Sequence, residues 1–524
     1  MSDTKQKPLG DLVIAADFGT TSVKVCVTGS DLEILGTALE TYPLSLPKPN
    51  HAEQAPEDWW EALRRAVASL AKDIPDFRAR VRGLVFCAQM GGLICVDAEG
   101  APLRPCILWL DKRSADLSRE LTGGFPSFEG YNLFKLARWI RLTNGAPSKN
   151  GMDPIGKMLW VQKHEPEIFA ATEKLLDAKD WLIHRSTGVM TASPDSANLT
   201  WMLDSRPGKE GWSQTLADRV GIPTSKLAPV VDGADIVGNL TARAADDLGL
   251  NKTTQVIAGG SDVSATAIGA GLVEDGELLI CASTSCWISG FMPKRVLSVT
   301  DQYATLSCSV GYRPMLVAVQ ESAASAVDWA VKALSDDGDA DASDAHDFFD
   351  DMGDPDRNDP YFIPWLAGEK TPLDDERVRG SFFNLSLRSD RNALKRAVIE
   401  GVALNTQWAY SKVLKQKGVK TEGPISLVGG LALNRHFAQA MANAINRPVA
   451  VGDPRYIAVL GAAAIAAPAL GWTETVWDAA RKLSGRDVKI YEPDPAKVEL
   501  MRERSKNLEA IRKSQVKLYG KIWQ

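Results

Sequence analysis

The stretch AADFGTTSVKVCVTG, residues 15–29, reads as a β-hairpin with chemistry in its turn. Val13 to Ala16 and Val23 to Val27 supply the small and β-branched residues that suit a pleated strand, and Gly19-Thr20-Thr21 suits the turn between them. A plain hairpin leaves Asp17 unexplained. From Asp17 to Ser22 the chain sets an acid, a bare backbone and three hydroxyls in one tight turn. Backbone N–H groups and hydroxyls in such a turn can hold phosphate oxygens, and the carboxylate can hold a divalent cation directly or through water. An aspartate that merely shapes a turn reads the same in isolation, so the rest of the chain has to decide.

Three further stretches bear on it. In IAGGSDVSATAIGAG (257–271) an apolar strand ends in two glycines, Asp262 follows at once, and a helix of small residues opens. The carboxylate there is either a helix cap or a general base at the mouth of a cleft. LLICASTSCWISG (278–290) is a strand pair joined by Ser283-Thr284-Ser285, a second hydroxyl turn like the first. GPISLVGGLALNRHFAQAMANAI (423–445) is a buried strand, the turn Gly429-Gly430, then a helix, and a flat ligand could pass close to that bare backbone. Elsewhere Ala55 to Leu70 reads as a helix with Pro56 near its start, and VRGLVFCAQMGGLICVD (81–97) as two apolar strands broken by Gly91-Gly92. The alternation predicts an α/β fold with parallel strands between helices.

A chain of 524 residues is too long for one core and implies at least two domains. The Pro- and Gly-containing segment 223–235 precedes a new apolar run at Gln255, which puts the main boundary near residue 253. A net charge of −6 and the lack of a basic patch with interleaved aromatics argue against a nucleic-acid partner. Seven cysteines, with no C-x-x-C pair, read as reduced core residues rather than a disulfide framework or zinc site. With no apolar leader and no run of about 18 apolar residues, a cytoplasmic protein without a membrane partner is expected. The tract 336–359 holds eleven aspartates, and its DGDAD (337–341) lacks the glycine and glutamate of a calcium loop, so a solvated surface loop is expected. The basic segment 497–521 carries a broken apolar stripe, Val498, Met501, Leu508, Ile511 and Leu518, and reads as a terminal helix docked on the body rather than on a membrane.

Taken in order, these stretches resemble the FGGY carbohydrate kinases, most closely their xylulokinase-like branch, over about residues 12–467. EQAPEDWW (53–60), LWLDKRS (108–114), DAKDWLIHRSTG (177–188), PWLAGEKTPLDDERVRGSFFNLS (364–386), RAVIEGVALN (396–405) and LGAAAIAA (460–467) strengthen the resemblance. It implies two ribonuclease-H-like domains of the actin, hexokinase and Hsp70 type with a cleft between them: an N-terminal domain, 1–253, a C-terminal domain, 254–468, and a helical tail, 469–524. It implies ATP and Mg²⁺ as cofactors and a small sugar or polyol as substrate, with a homodimer as the assembly considered. On this pattern Gly19, Thr20, Thr21 and Ser22 form the first phosphate loop and Ser283, Thr284 and Ser285 the second, with Thr284 at the γ-phosphate. Adenosine packs at Gly429 and Gly430, with Asn434 close by. Gln89, Met90, Gly91, Trp109, Asp111 and Arg113 lie on the sugar side, Asp17 lies near the metal, and Asp262 is both metal-proximal and the base that takes the proton from the attacking hydroxyl. Phosphoryl transfer asks for little beyond positioning, a divalent metal and charge neutralisation, which such a set supplies.

Two positions depart from the family pattern. The second phosphate turn usually reads Gly-Thr-Ser; Ser283 replaces the glycine, which predicts a differently seated loop if that position needs φ > 0. The sugar-side motif usually reads Gln-Met-His-Gly; Gly91 replaces the histidine and predicts a larger pocket, with D-xylulose a secondary substrate and Gly91→His shifting preference towards it. Rival readings lack their residues. No G-x-G-x-x-G follows a strand, Gly368-Glu369-Lys370-Thr371 lacks a P-loop upstream of it, and the five histidines (His51, His164, His184, His346 and His436) are scattered. The remaining alternative is a catalytically weak sugar- and nucleotide-binding sensor of the same fold, against which the retention of both Asp17 and Asp262 argues. No separate peptide-binding domain is left for a chaperone.

Overall fold

The N-terminal hairpin forms as read: β1 (Leu12–Phe18) and β2 (Ser22–Thr28) pair antiparallel, with Asp17 opposite Lys24. The structure is a computed structural model that describes residues 10–335 and 348–522. It divides into two compact units, one of Met1–Val273, Leu306–Met315 and Tyr456–Ser484, the other of Glu274–Thr305, Leu316–Arg455 and Gly485–Gln524. By compactness, then, the first unit runs past position 253 and takes back a segment near the end of the chain.

In the first unit β3 (Ile34–Thr41) extends the hairpin antiparallel, whereas β4 (Val81–Ala88) pairs parallel with β1 and β6 (Gln255–Ser261) parallel with β4. A short edge strand, β5 (Ile236–Asn239), completes the order β5-β6-β4-β1-β2-β3. The parallel strands are nearly continuous apolar runs, as burial on both faces requires, and the helix Pro56–Asp73 turns Trp59, Leu63, Val67 and Leu70 inward against the hairpin. Pro56 occupies the first helical turn, where its missing N–H costs nothing.

The second unit repeats the plan. β7 (Leu279–Ala282) and β8 (Cys286–Phe291) form an antiparallel hairpin, β9 (Pro314–Gln320) lies next to β8, β10 (Ile425–Val428) runs parallel to β7, and β11 (Val449–Val451) parallel to β10. The order β9-β8-β7-β10-β11 matches β3-β2-β1-β4-β6, a duplicated ribonuclease-H-like core. The two hydroxyl turns therefore occupy equivalent places, each joining the first two strands of its sheet.

The terminal helix, Pro495–Ile522, docks through Val498, Met501 and Leu508, and also through cations. Arg504 is fully buried, paired with Glu400 at 2.7 Å, donating to the Asp359 and Pro360 carbonyls and lying over the Tyr361 ring. Arg512 donates to the Leu404 carbonyl and lies over Trp408. Leu518, counted in the apolar stripe from sequence, is exposed. Among the described residues no helix is long and apolar enough to cross a membrane. All seven cysteines are buried, and none is in a disulfide. The DGDAD segment lies outside the described residues.

Candidate active site

The turn from Gly19 to Ser22 is gripped from behind. The Tyr42 hydroxyl lies 2.6 Å from the Gly19 carbonyl oxygen and 2.9 Å from that of Ser22; the Tyr42 N–H donates to Thr21 O, and Gln54 Nε2 donates to Thr20 O at 2.7 Å. With its carbonyls occupied and the Gly19 N–H spent on Ser22 O, the turn has the Thr20 and Thr21 N–H groups and its hydroxyls to offer an anion. The turn at Ser283 to Ser285 is held alike: Ala324 N–H donates to Ser283 O, Ala323 and Ser325 N–H groups and the Ser325 hydroxyl donate to Thr284 O, and Thr284 is left exposed. Ser283 is not among the residues with positive φ, so the condition on which a differently seated loop was expected is not met in this structure, and its hydroxyl lies 3.3 Å from Ser285 O.

Register brings the two aspartates to one sheet edge. Asp17 pairs with Cys87 across β1 and β4, and Cys87 with Gly260 across β4 and β6, so Asp262 follows two strand spacings away, about 10 Å by strand geometry. Asp262 opens the helix Asp262–Gly269, its carboxylate accepting the Val263 N–H at 2.9 Å. The start of that helix is anchored by Asp195, a fully buried residue the sequence did not single out. Its Oδ2 accepts the Ser261 N–H and the Ser264 hydroxyl, both at 2.7 Å. The same helix is pressed against Ile457–Ala466 through glycines: a Cβ on Gly461 would lie 1.8 Å from Ala265 O, and one on Gly269 1.9 Å from Ile457 O.

On the sugar side, Gln89 is 6% exposed and its N–H donates to Phe18 O, while its side-chain Oε1 is buried without a partner. Trp109, 37% exposed, donates its indole N–H to the Thr20 hydroxyl at 3.1 Å and so joins the sugar-side motif to the phosphate turn. Asp111 and Arg113 are brought together but face each other. The Asp111 carboxylate is fully buried, filled by the Arg113 guanidinium and the Ala52 N–H, and Arg113 also pairs with Glu53 at 2.8 Å and lies over Trp160. This pair supports the loop that carries Trp109. Met90 is half-buried, and Gly91 is pinned: its N–H and that of Gly92 donate to the two oxygens of Asp177, and the buried Lys157 ammonium donates to its carbonyl.

In the second unit Gly429 has φ +91°, and a Cβ there would lie 2.4 Å from Ala282 O, so only glycine lets β10 turn over the end of β7. Gly430 is exposed, with open space where a side chain would be. The Asn434 side-chain oxygen is spent as the N-cap of Arg435–Ile445, accepting from His436 and Phe437 N–H groups. Its bonds are those of a cap for the helix that follows the glycine turn.

Burial sets the titration of the site. Asp262 is pushed up to about 8, first by desolvation and then by the charge of Asp17; Asp17 is itself raised by burial, with Lys24 opposing. Asp177 rises to about 7 by burial and the neighbouring Asp180, and Glu369, which organises the loop 369–371 of the second unit, rises to about 7 by burial. Asp262, Asp177 and Glu369 keep their protons in the folded chain to near neutrality but lose them near pH 4 when unfolded. Between those values the folded state binds more protons, so its stability falls as pH rises. The ligand-free protein is therefore expected to melt a few degrees higher at pH 5.5 than at pH 8.5 in a calorimetric scan; a midpoint that rises over this interval contradicts the assignment.

Two hydroxyl turns on duplicated ribonuclease-H-like sheets, with aspartates at the strand ends of the first, are the architecture of the actin- and hexokinase-type fold. The chain belongs to the FGGY family of carbohydrate kinases: the family's N-terminal domain matches residues 12–269 and its C-terminal domain residues 298–470. It is 31% identical over 438 residues to a xylulose kinase of Escherichia coli, covering 82% of this chain and 84% of that one. To a xylulose kinase of Staphylococcus epidermidis it is 28% identical over 503 residues, 96% and 97% of the two chains. The crystal structure of a xyloylose kinase from Brucella ovis superposes with a TM-score of 0.86 at 26% identity, covering 97% of this chain and all of that one. The protein is a sugar kinase that uses ATP as phosphoryl donor.

Proposed function

We propose that the chain transfers the γ-phosphoryl group of ATP to a hydroxyl of a small ketose or polyol, with Asp262 as general base. The observation that carries this reading is a hydroxyl turn held by its carbonyls together with a carboxyl at the same end of the sheet, two strands away, whose helix start is held by Asp195. The sugar hydroxyl oxygen attacks the γ-phosphorus, the bond from that phosphorus to the β,γ-bridging oxygen breaks, ADP leaves, and the hydroxyl proton passes to Asp262. Thr20, Thr21 and Ser22 in one unit, and Ser283 to Ser285 in the other, bind phosphate oxygens, while Gly429 and Gly430 leave room for adenosine. Asp17 and Asp262 would hold Mg²⁺. Two buried acids, both raised by desolvation and one of them, Asp262, raised further by the charge of Asp17, suit a hard cation that takes one or two carboxylates and completes its shell with water and phosphate, and among the described residues no cluster of three or more acid, histidine or cysteine ligands competes for it. The ion would neutralise charge on the phosphates.

The experiment is ATP consumption against a panel of pentuloses, hexuloses, tetritols and glycerol. The relatives' names make D-xylulose the reference substrate, and Gly91 sets the expectation that another ketose or polyol is preferred by kcat/KM. The structure changes how that is tested. Gly91 has φ +92°, and a Cβ would lie 3.2 Å from Leu199 and 3.5 Å from Trp109, so Gly91→His adds strain of about 1–2 kcal/mol to a pinned loop instead of simply restoring a contact. A shift towards D-xylulose in that variant therefore has to be read beside its melting point, and the wild-type ratio is the informative number. If wild type turns over D-xylulose better than every other sugar tested, Gly91 does not set specificity.

A further inference from the structure

Gln54 makes contacts that no part of the reaction above uses. It is 2% exposed; Nε2 donates to Thr20 O at 2.7 Å and Pro43 O at 3.1 Å, and Oε1 accepts from Trp59 Nε1 at 3.1 Å and Gln89 Nε2 at 3.2 Å. Both donors and both lone pairs of the amide are thus committed, and the direction of each is forced. Two backbone carbonyls can only accept, and an indole N–H can only donate, so the Gln54 amide has one permitted orientation. Its oxygen then faces Gln89, which must present its own NH₂ group to it. The carbonyl of Gln89 is consequently turned the other way, and it is the buried acceptor that has no protein partner.

We propose that Gln54 is the positioning residue that ties the sugar pocket to the phosphate turn: it locks the Gln89 amide so that its carbonyl accepts a substrate hydroxyl, and it holds Thr20 through the same amide. The proposal rests on the sugar-kinase reading above. A substrate hydroxyl donating to Gln89 Oε1 is joined through Gln89 Nε2, Gln54 and the Thr20 carbonyl to the turn that faces the phosphates, and chains of this kind strengthen along their length. Trp109 closes the circuit on the exposed side through the Thr20 hydroxyl. Without Gln54 the Gln89 amide is free to turn over, and a substrate hydroxyl meets a donor where it needs an acceptor.

The test compares Gln54→Met with Trp59→Phe on the best substrate of the panel. Trp59→Phe removes one bond to Gln54 and loosens the same core, but leaves the connection between Gln89 and Thr20 whole. Gln54→Met is expected to lower kcat at least tenfold and raise the sugar KM at least fivefold, whereas Trp59→Phe changes each less than threefold. Gln54→Met within threefold of wild type on both constants, or equal damage from Trp59→Phe, overturns the proposal. If Gln54→Met does not fold, Gln89→Met reads the connection from its sugar end: kcat must fall together with a rise in KM, and a change in KM alone overturns the link. A wild-type protein that phosphorylates nothing in the panel refutes the kinase reading itself, an outcome distinct from any of these.

Discussion

Asp262→Asn is expected to lower turnover by about 10²–10⁴ while leaving the fold and nucleotide binding in place, the range that loss of a positioned general base produces. Asparagine keeps the size and one oxygen, so the bond to the Val263 N–H survives, and the helix start remains anchored by Asp195 on Ser261 and Ser264. What is lost is a group that can take a proton. The raised pKa of the aspartate gives it more affinity for that proton than an exposed carboxylate has, which is useful in a base that must accept from an alcohol. Steady-state rates beside a melting curve decide the matter, and a variant with more than about a third of wild-type turnover removes Asp262 from the mechanism.

Gly461→Ala is expected to cost roughly 3 kcal/mol or more of stability and at least tenfold in kcat, although Gly461 is far in sequence from every residue given a chemical role. An added methyl would meet the Ala265 carbonyl at 1.8 Å, a backbone atom that cannot swing aside, and Ala265 lies in the first turn after Asp262. The helix must slide, and the carboxylate moves with it. Differential scanning calorimetry and kcat on the same preparation test this; a melting point within a degree of wild type and an unchanged kcat show that the two helices can separate without cost.

The elements that carry chemistry were legible because each is local. A β-branched run broken by Asp17 and three hydroxyls, an aspartate opening a small-residue helix, and a glycine pair between strand and helix are all patterns within fifteen residues. What could not be read was who holds them. Tyr42, Gln54, Lys157, Asp177 and Asp195 lie 20 to 90 residues from the backbone they grip, and nothing in a tyrosine or a lysine tells where its hydroxyl or ammonium will land. Nor does the sequence show that Asp111 and Arg113 bond each other, or that the Asn434 oxygen caps the helix it precedes. The alanines and glycine of LGAAAIAA carried a signal that was available: a helix this small all round is built to touch another backbone.

The first unit is finished by Tyr456–Ser484 and the second by Gly485–Gln524, so neither can close while the ribosome still holds the last tenth of the chain. Until the helix Ile457–Ala466 emerges, the small-residue face at Ala265 and Gly269 has nothing to cover it; until the terminal helix emerges, Glu400 has no Arg504. The strands of both units are therefore made well before the segments that complete them. In such a chain a truncation that removes Tyr456–Ser484 acts on the earliest strands as well, because the helix that carries Gly461 packs on the strand that carries Asp17.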